Sequence, residues 1–155
     1  DADFFAHMEE IDLCWRLNAR GRKIECVPES VVYHMGGASL NKENPQKTYL
    51  NFRNNLLMIY KNVAASQLPQ TMIVRFFLDL LAFAHLCLEG KFQNAGAVAT
   101  AYADFLKMRS RYKNIRKENL EKTLVTTIPS RFKGSILWNY YVKKKRTFGQ
   151  LFETH

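Results

Sequence analysis

Residues 4–16 read Phe4-Phe5-Ala6-His7-Met8-Glu9-Glu10-Ile11-Asp12-Leu13-Cys14-Trp15-Arg16, and no other stretch of the chain brings acid, base and aromatic groups so close together. An apolar run gives way at Glu9 to a helical pattern carried by Ile11, Leu13, Cys14, Trp15 and Leu17. A helix is expected from about Glu9 to Ala19, with Gly21 as its C-terminal cap. Glu9, Glu10 and Asp12 fall on the first turn, where negative charge meets the partial positive charge of a helix N-terminus. They are either ordinary helix-start acids, or one of them is a general base at the mouth of a pocket. Asp12 and Arg16, four apart, can form a helix-surface ion pair; alternatively, Asp12 orients Arg16 toward the loop of a site. Trp15 reads as core in preference to a sugar platform.

Working outward, Ile24-Glu25-Cys26-Val27-Pro28 and Ser30-Val31-Val32-Tyr33-His34 have the composition of short strands. With the first helix they predict the end of a mixed α/β layer. His34 ends the second run and meets Gly36-Gly37, which would let backbone approach a ligand closely. Residues 36–45 are dense in turn formers and mark a subdomain boundary, dividing 1–45 from 46–155. Beyond it the pattern is helical over Thr48 to Asn62, Pro69 to Glu89 and Phe92 to about Lys113, with a weaker region around Ile136 to Tyr141.

The run from Thr71 to Gly90 approaches the ~20 apolar residues that cross a bilayer, but it contains Arg75, Asp79, His85 and Glu89. These pair four apart along one face and leave a wide apolar surface opposite. Two readings follow: a helix packed on its neighbour, or an interfacial helix assisted by Arg109, Arg111, Lys113, Arg116 and Lys117.

Charge divides at the same boundary. Residues 1–45 hold 5 Lys/Arg against 8 Asp/Glu, and residues 46–155 hold 18 against 6, giving the net +9. A basic, aromatic-rich half suggests an anionic partner. No recognition helix, zinc finger or single-strand motif accompanies it, so nucleic acid is not the expected partner. Cys14, Cys26 and Cys87 lack paired spacing and fit reduced thiols in a cytoplasmic setting.

The acid run resembles the Glu-Asp-x-Asp-Leu-x-x-Arg motif of family-two inverting glycosyltransferases of the GT-A fold, and reads here Glu9-Glu10-Ile11-Asp12-Leu13-Cys14-Trp15-Arg16. The likeness continues through Gly21, the two strand-like runs, His34 with its glycines, and Thr48-Tyr49-Leu50-Asn51-Phe52-Arg53-Asn54-Asn55-Leu56, which is similar to the helix after the catalytic domain in bacterial rhamnosyltransferase-like members. It covers roughly the first 60 residues. The resemblance implies that the chain is the C-terminal part of a longer enzyme that moves a sugar, rhamnose or another hexose, from a nucleotide-sugar donor. The acceptor would be a saccharide or a lipid-linked saccharide, in cell-surface polysaccharide synthesis at the cytoplasmic face of a bacterial plasma membrane.

By the same resemblance Glu10 is the general base, with Glu where Asp is commoner, and Glu9 is the fallback base or an acceptor-binding group. Arg53, with Asn54 and Asn55, would touch the diphosphate or the acceptor, since a guanidinium matches phosphate oxygens; equally, it reads as a helix-surface arginine. His34 would complete the coordination of a divalent ion, Mn²⁺ or Mg²⁺, whose other ligands lie upstream; imidazole suits Mn²⁺ better. Asp1-Ala2-Asp3 has the letters of the family's metal motif but not its distance from the acid pair, and reads as coincidence. Without the donor-binding half this chain alone is expected to be inactive. Its unpaired strand edges would favour self-association. The competing expectation is a non-enzymatic helical module that binds anionic membrane or a protein partner.

Overall fold

The computed structural model describes residues 1–33, 44–126, 132 and 134–152. The first helix, α1 (Glu9–Ala19), forms where the acid run predicts it. It ends in a Schellman turn: Gly21 at φ 70° donates to the Asn18 carbonyl at 2.9 Å, and the Arg22 N–H reaches back to Leu17 at 2.9 Å. The next helix, α2 (Pro45–Asn62), begins with Pro45 in its first turn, and the Asn44 side chain accepts from the Gln46 N–H at 2.8 Å. It is followed by α3 (Leu68–Leu88), which closes with a second Schellman turn at Gly90. Helix α4 (Phe92–Met108) and helix α5 (Tyr112–Glu121) complete the bundle. A π-helical turn, Trp138–Val142, and a short α6 (Phe148–Phe152) lie near the C-terminus.

Helix α2 is the central element, packed most extensively on α4 and also touching α5, α3 and α1. The apolar core gathers Phe4, Leu56, Leu57, Met58, Phe105 and Tyr112. Tyr60 meets Phe105 edge-on at 6.0 Å between ring centroids. At its other end α2 is joined to α4 by polar contacts: the Tyr49 hydroxyl donates to Asp104 at 2.9 Å, and the Asn94 amide donates to Thr48 at 2.8 Å.

The expected α/β layer is not formed. Among the described residues there is no strand; every regular element is helical. Residues 24–28 and 30–33 are irregular and exposed, and their one internal link is the turn in which the Ser30 N–H donates to the Val27 carbonyl at 3.0 Å. A strand requires a neighbour to accept its backbone hydrogen bonds and cover one face. Val31 and Val32 are 70% and 82% exposed, so neither requirement is met. With no strand there is also no strand edge among these residues to support the expected self-association.

The expected helix from Phe92 to Lys113 is broken after Met108. The break turns Tyr112 fully into the core, where its hydroxyl meets Asp3 at 3.0 Å and Asp1 at 3.2 Å. Burial, and after it the bond to Asp3, hold the phenol ionisation above its ordinary value.

The Asp104 carboxyl is held below its usual range, first by the Tyr49 hydroxyl and then by Lys107. A depressed carboxylate stabilises the fold above its unfolded pKa, and that contribution is lost as pH falls through the folded value. Tyr49→Phe should therefore move the Asp104 titration upward, and acid unfolding should begin at higher pH. Carbon-13 NMR of the carboxyl group and a circular-dichroism pH series read the two effects.

Candidate functional site

The acids of α1 are delivered by a short, strained lead. Ala2–Phe4 forms one 3₁₀ turn, after which Phe5, His7 and Met8 adopt φ of 59°, 69° and 71°. Three left-handed non-glycine residues within four positions are costly and persist only where surrounding structure holds them. Here the holder is Asn54. Fully buried on α2, its amide donates to the carbonyls of Phe4, Ala6 and His7 at 2.9, 2.8 and 2.9 Å. Its own carbonyl accepts from Arg53 at 2.8 Å. Met8 then starts α1 without a side-chain cap, so Glu9, Glu10 and Asp12 supply the negative charge at the first turn.

Each residue singled out in the sequence has a distinct setting. Glu10 is exposed, whereas Glu9 is half-buried with Oε2 lacking a hydrogen-bond partner among the described residues. His7 Nε2 and Asn55 Oδ1 are likewise buried and unpartnered. All three atoms belong to the strained lead, to the start of α1, or to Asn55, whose amide lies 3.8 Å from the Met8 sulfur. Buried polar groups are rarely left unsatisfied, and a group of them marks a place where a ligand or solvent would complete the bonding.

Asp12 is not a surface residue. Its side chain is fully buried, and its oxygens accept from Arg16 Nε at 2.9 Å, Lys61 Nζ at 2.9 Å and the Asn62 amide at 2.7 Å. The pair with Arg16 is thus one arm of an interior network. Asn62 continues that network by accepting from the Asn119 amide at 3.0 Å, and Asn119 accepts from Arg20 at 3.3 Å, so α1, α2 and α5 are joined through polar groups. Lys61 is held between Asp12 and Asp1, with its ammonium 4.4 Å from the Phe4 ring centroid. Burial pulls the Lys61 pKa below its ordinary value, with Asp12 opposing the shift.

Chain comparison gave no relative. No family model, curated protein or solved structure matches this sequence.

Arg53 spends its donors on the protein. It bonds the Asp3 carbonyl at 2.7 Å, Asn54 and the Tyr49 hydroxyl, and it lies over the Tyr49 ring. Asp1 and Asp3 are engaged by Lys61, Arg111 and Tyr112. Trp15 packs against the core, as read from the sequence. His34 lies outside the described residues. Among those that are described, no group of three His, Cys, Asp or Glu side chains could hold a metal ion. These residues therefore do not furnish a site for the divalent ion that the resemblance implies.

Sequence reasoning named Asn54 only as a companion of Arg53 at the diphosphate or the acceptor, and missed Lys61 and Asn119. Asn54 and Lys61 left a signal: Leu50, Asn54, Leu57 and Lys61 recur at helical spacing along one face of α2, placing an amide and an ammonium where apolar residues are expected.

Two substitutions separate the clamp from the network. Asn54→Ala should speed amide exchange over residues 5–10 by about ten-fold or more while leaving α3 and α4 unchanged, because three loop carbonyls lose their donor. Asp12→Ala should lower unfolding free energy by roughly 3 kcal/mol in urea titration, because it leaves buried Lys61 undercompensated.

Proposed function

We propose that the chain carries the catalytic-base segment of an inverting glycosyltransferase, with Glu10 as the base. The observation that carries this reading is the strained, Asn54-clamped lead that ends on two adjacent acids, one exposed and one with a buried, unpartnered oxygen. Strain held this firmly is characteristic of segments whose geometry serves a site. The resemblance of residues 9–16 to the acid-pair motif supplies the class of chemistry.

In that chemistry Glu10 accepts the proton of an acceptor hydroxyl as its oxygen attacks the anomeric carbon. The bond from that carbon to the nucleoside diphosphate breaks on the opposite face, and the diphosphate leaves with the bonding pair. A base must come within about 2.6–3.2 Å of the hydroxyl, and the exposed position of Glu10 leaves room for such an approach. Glu9 would orient the acceptor through its buried oxygen. Asp12, with Arg16, Lys61 and Asn62, sets the direction of α1. Arg53 supports the lead from below, and contact with diphosphate would require it to give up bonds it already makes.

The acceptor is proposed to be a saccharide, free or lipid-linked, and the donor a nucleotide sugar bound by residues upstream of this chain. The divalent ion would belong to that donor side. The proposed location is cytoplasmic and peripheral at the inner face of a bacterial plasma membrane. Among the described residues, α3 alone is long and apolar enough to cross a bilayer, which by itself is compatible with a soluble or a peripheral protein.

The test is turnover by the enzyme containing the donor-binding half, with a panel of nucleotide sugars and Mn²⁺ or Mg²⁺. Glu10→Gln should lower kcat on the order of 10²–10⁴-fold with little change in donor binding or in the circular-dichroism spectrum. Near-normal turnover would remove Glu10 from the role.

A further inference from the structure

Helix α3 is turned inside out. Arg75 and Asp79 face the bundle, paired at 2.6 Å, with Asp79 also accepting from the Tyr102 hydroxyl at 2.9 Å and Arg75 lying over the Phe52 ring. Burial and Asp79 together raise the Tyr102 ionisation, consistent with a hydroxyl committed to that bond. The opposite face presents Val74, Phe77, Leu81 and Leu88 to the exterior at helical spacing, and Leu81 is 68% exposed. The helix is long and apolar enough to cross a bilayer, yet only 6% of its most apolar stretch is buried. An apolar core helix of a soluble protein is mostly buried, so this face lacks its cover.

Charge identifies the cover. A groove of about 450 Å³ between α3 and α4 is lined by Ile73, Phe77 and Leu106 and carries Arg109 on its rim. Arg109 and Lys113 are exposed and make no ion pair among the described residues. Farther along, the exposed aromatics Trp138, Tyr140 and Tyr141 precede Lys143-Lys144-Lys145-Arg146, a pairing of aromatic and basic residues suited to a headgroup layer. A second copy of the chain would bring another Arg109 against the one at this groove, like charge against like. An anionic bilayer offers hydrocarbon to the apolar face and negative charge to its rim.

We propose that the outward face of α3 lies in the plane of an anionic lipid surface, with Val74, Phe77, Leu81 and Leu88 entering the headgroup–acyl boundary and Arg109 and Lys113 meeting lipid phosphates. The helix lies along the surface and does not cross it, since its inner face is packed on α4 and α2. This names the surface behind the peripheral location proposed above, and it stands without the transferase chemistry.

The test is co-sedimentation of the chain with vesicles of phosphatidylglycerol and phosphatidylethanolamine, against phosphatidylcholine vesicles and against inorganic phosphate as a competitor, with no sugar nucleotide present. Binding should require phosphatidylglycerol, weaken with salt, and resist millimolar phosphate. Phe77→Glu/Leu81→Glu should lower vesicle affinity at least ten-fold with unchanged circular dichroism, as both side chains are exposed. Arg109→Gln/Lys113→Gln should lower it about five-fold per charge removed and keep residual binding. Three outcomes would overturn the proposal: no binding by the folded chain, binding indifferent to the Phe77/Leu81 pair, or a dimer in sedimentation velocity that this pair abolishes while vesicles are ignored. Since the assay contains no donor, these results leave the role of Glu10 to be judged separately.

Discussion

The ammonium of Lys61 governs how this chain is put together. A lysine on the buried face of a central helix has to find carboxylates, and α2 offers none at that end. Asp1 and Asp12 come from segments on either side of the strained lead, and both converge on the same nitrogen. Meeting that need draws the first residues under Tyr112 and brings α1 against α2. The break between α4 and α5 follows the same logic, since Tyr112 can reach Asp1 and Asp3 only if the helix ends before it. The geometry of the acid pair is thus set largely by one buried cation and its hydration cost.

Local signals made much of the helical frame readable. The acids at 9–12 and Gly21 delimit α1 because first-turn charge and a left-handed cap act within a turn of the chain. Apolar periodicity located α2 and α3 within a few residues. The end of α4 was not readable, since neither glycine nor proline marks residues 109–111 and the break is driven by the burial of Tyr112. The strand reading of 24–33 had sound local grounds, but β structure is completed by partners distant in sequence. Among the described residues no partner is there.

The candidate site was legible in its acids and illegible in its support. Glu9 and Glu10 stand out by composition and by their likeness to a known motif. What presents them is non-local: Asn54 is 47 to 50 residues from the carbonyls it holds. Asp12 and Arg16 were paired correctly by spacing, yet the pair's burial depends on Lys61 and Asn62. Arg75 and Asp79 repeat the pattern on α3. Spacing predicts their contact, but only packing decides that the charged stripe faces inward and the apolar one outward.

The chain from Arg20 through Asn119 and Asn62 to Asp12 has a consequence of its own. Apolar contacts hold helices together but allow rotation and sliding, because dispersion has little directional preference. Hydrogen bonds between amide and carboxylate lose strength within tenths of an ångström and a few tens of degrees. A helix fastened this way has its azimuth indexed as well as its position. Turning α1 by a single residue, about 100°, would break both bonds that tie it into the series, Arg20 to Asn119 and Asn62 to Asp12, at once, so the direction in which Glu10 faces is quantised and not graded.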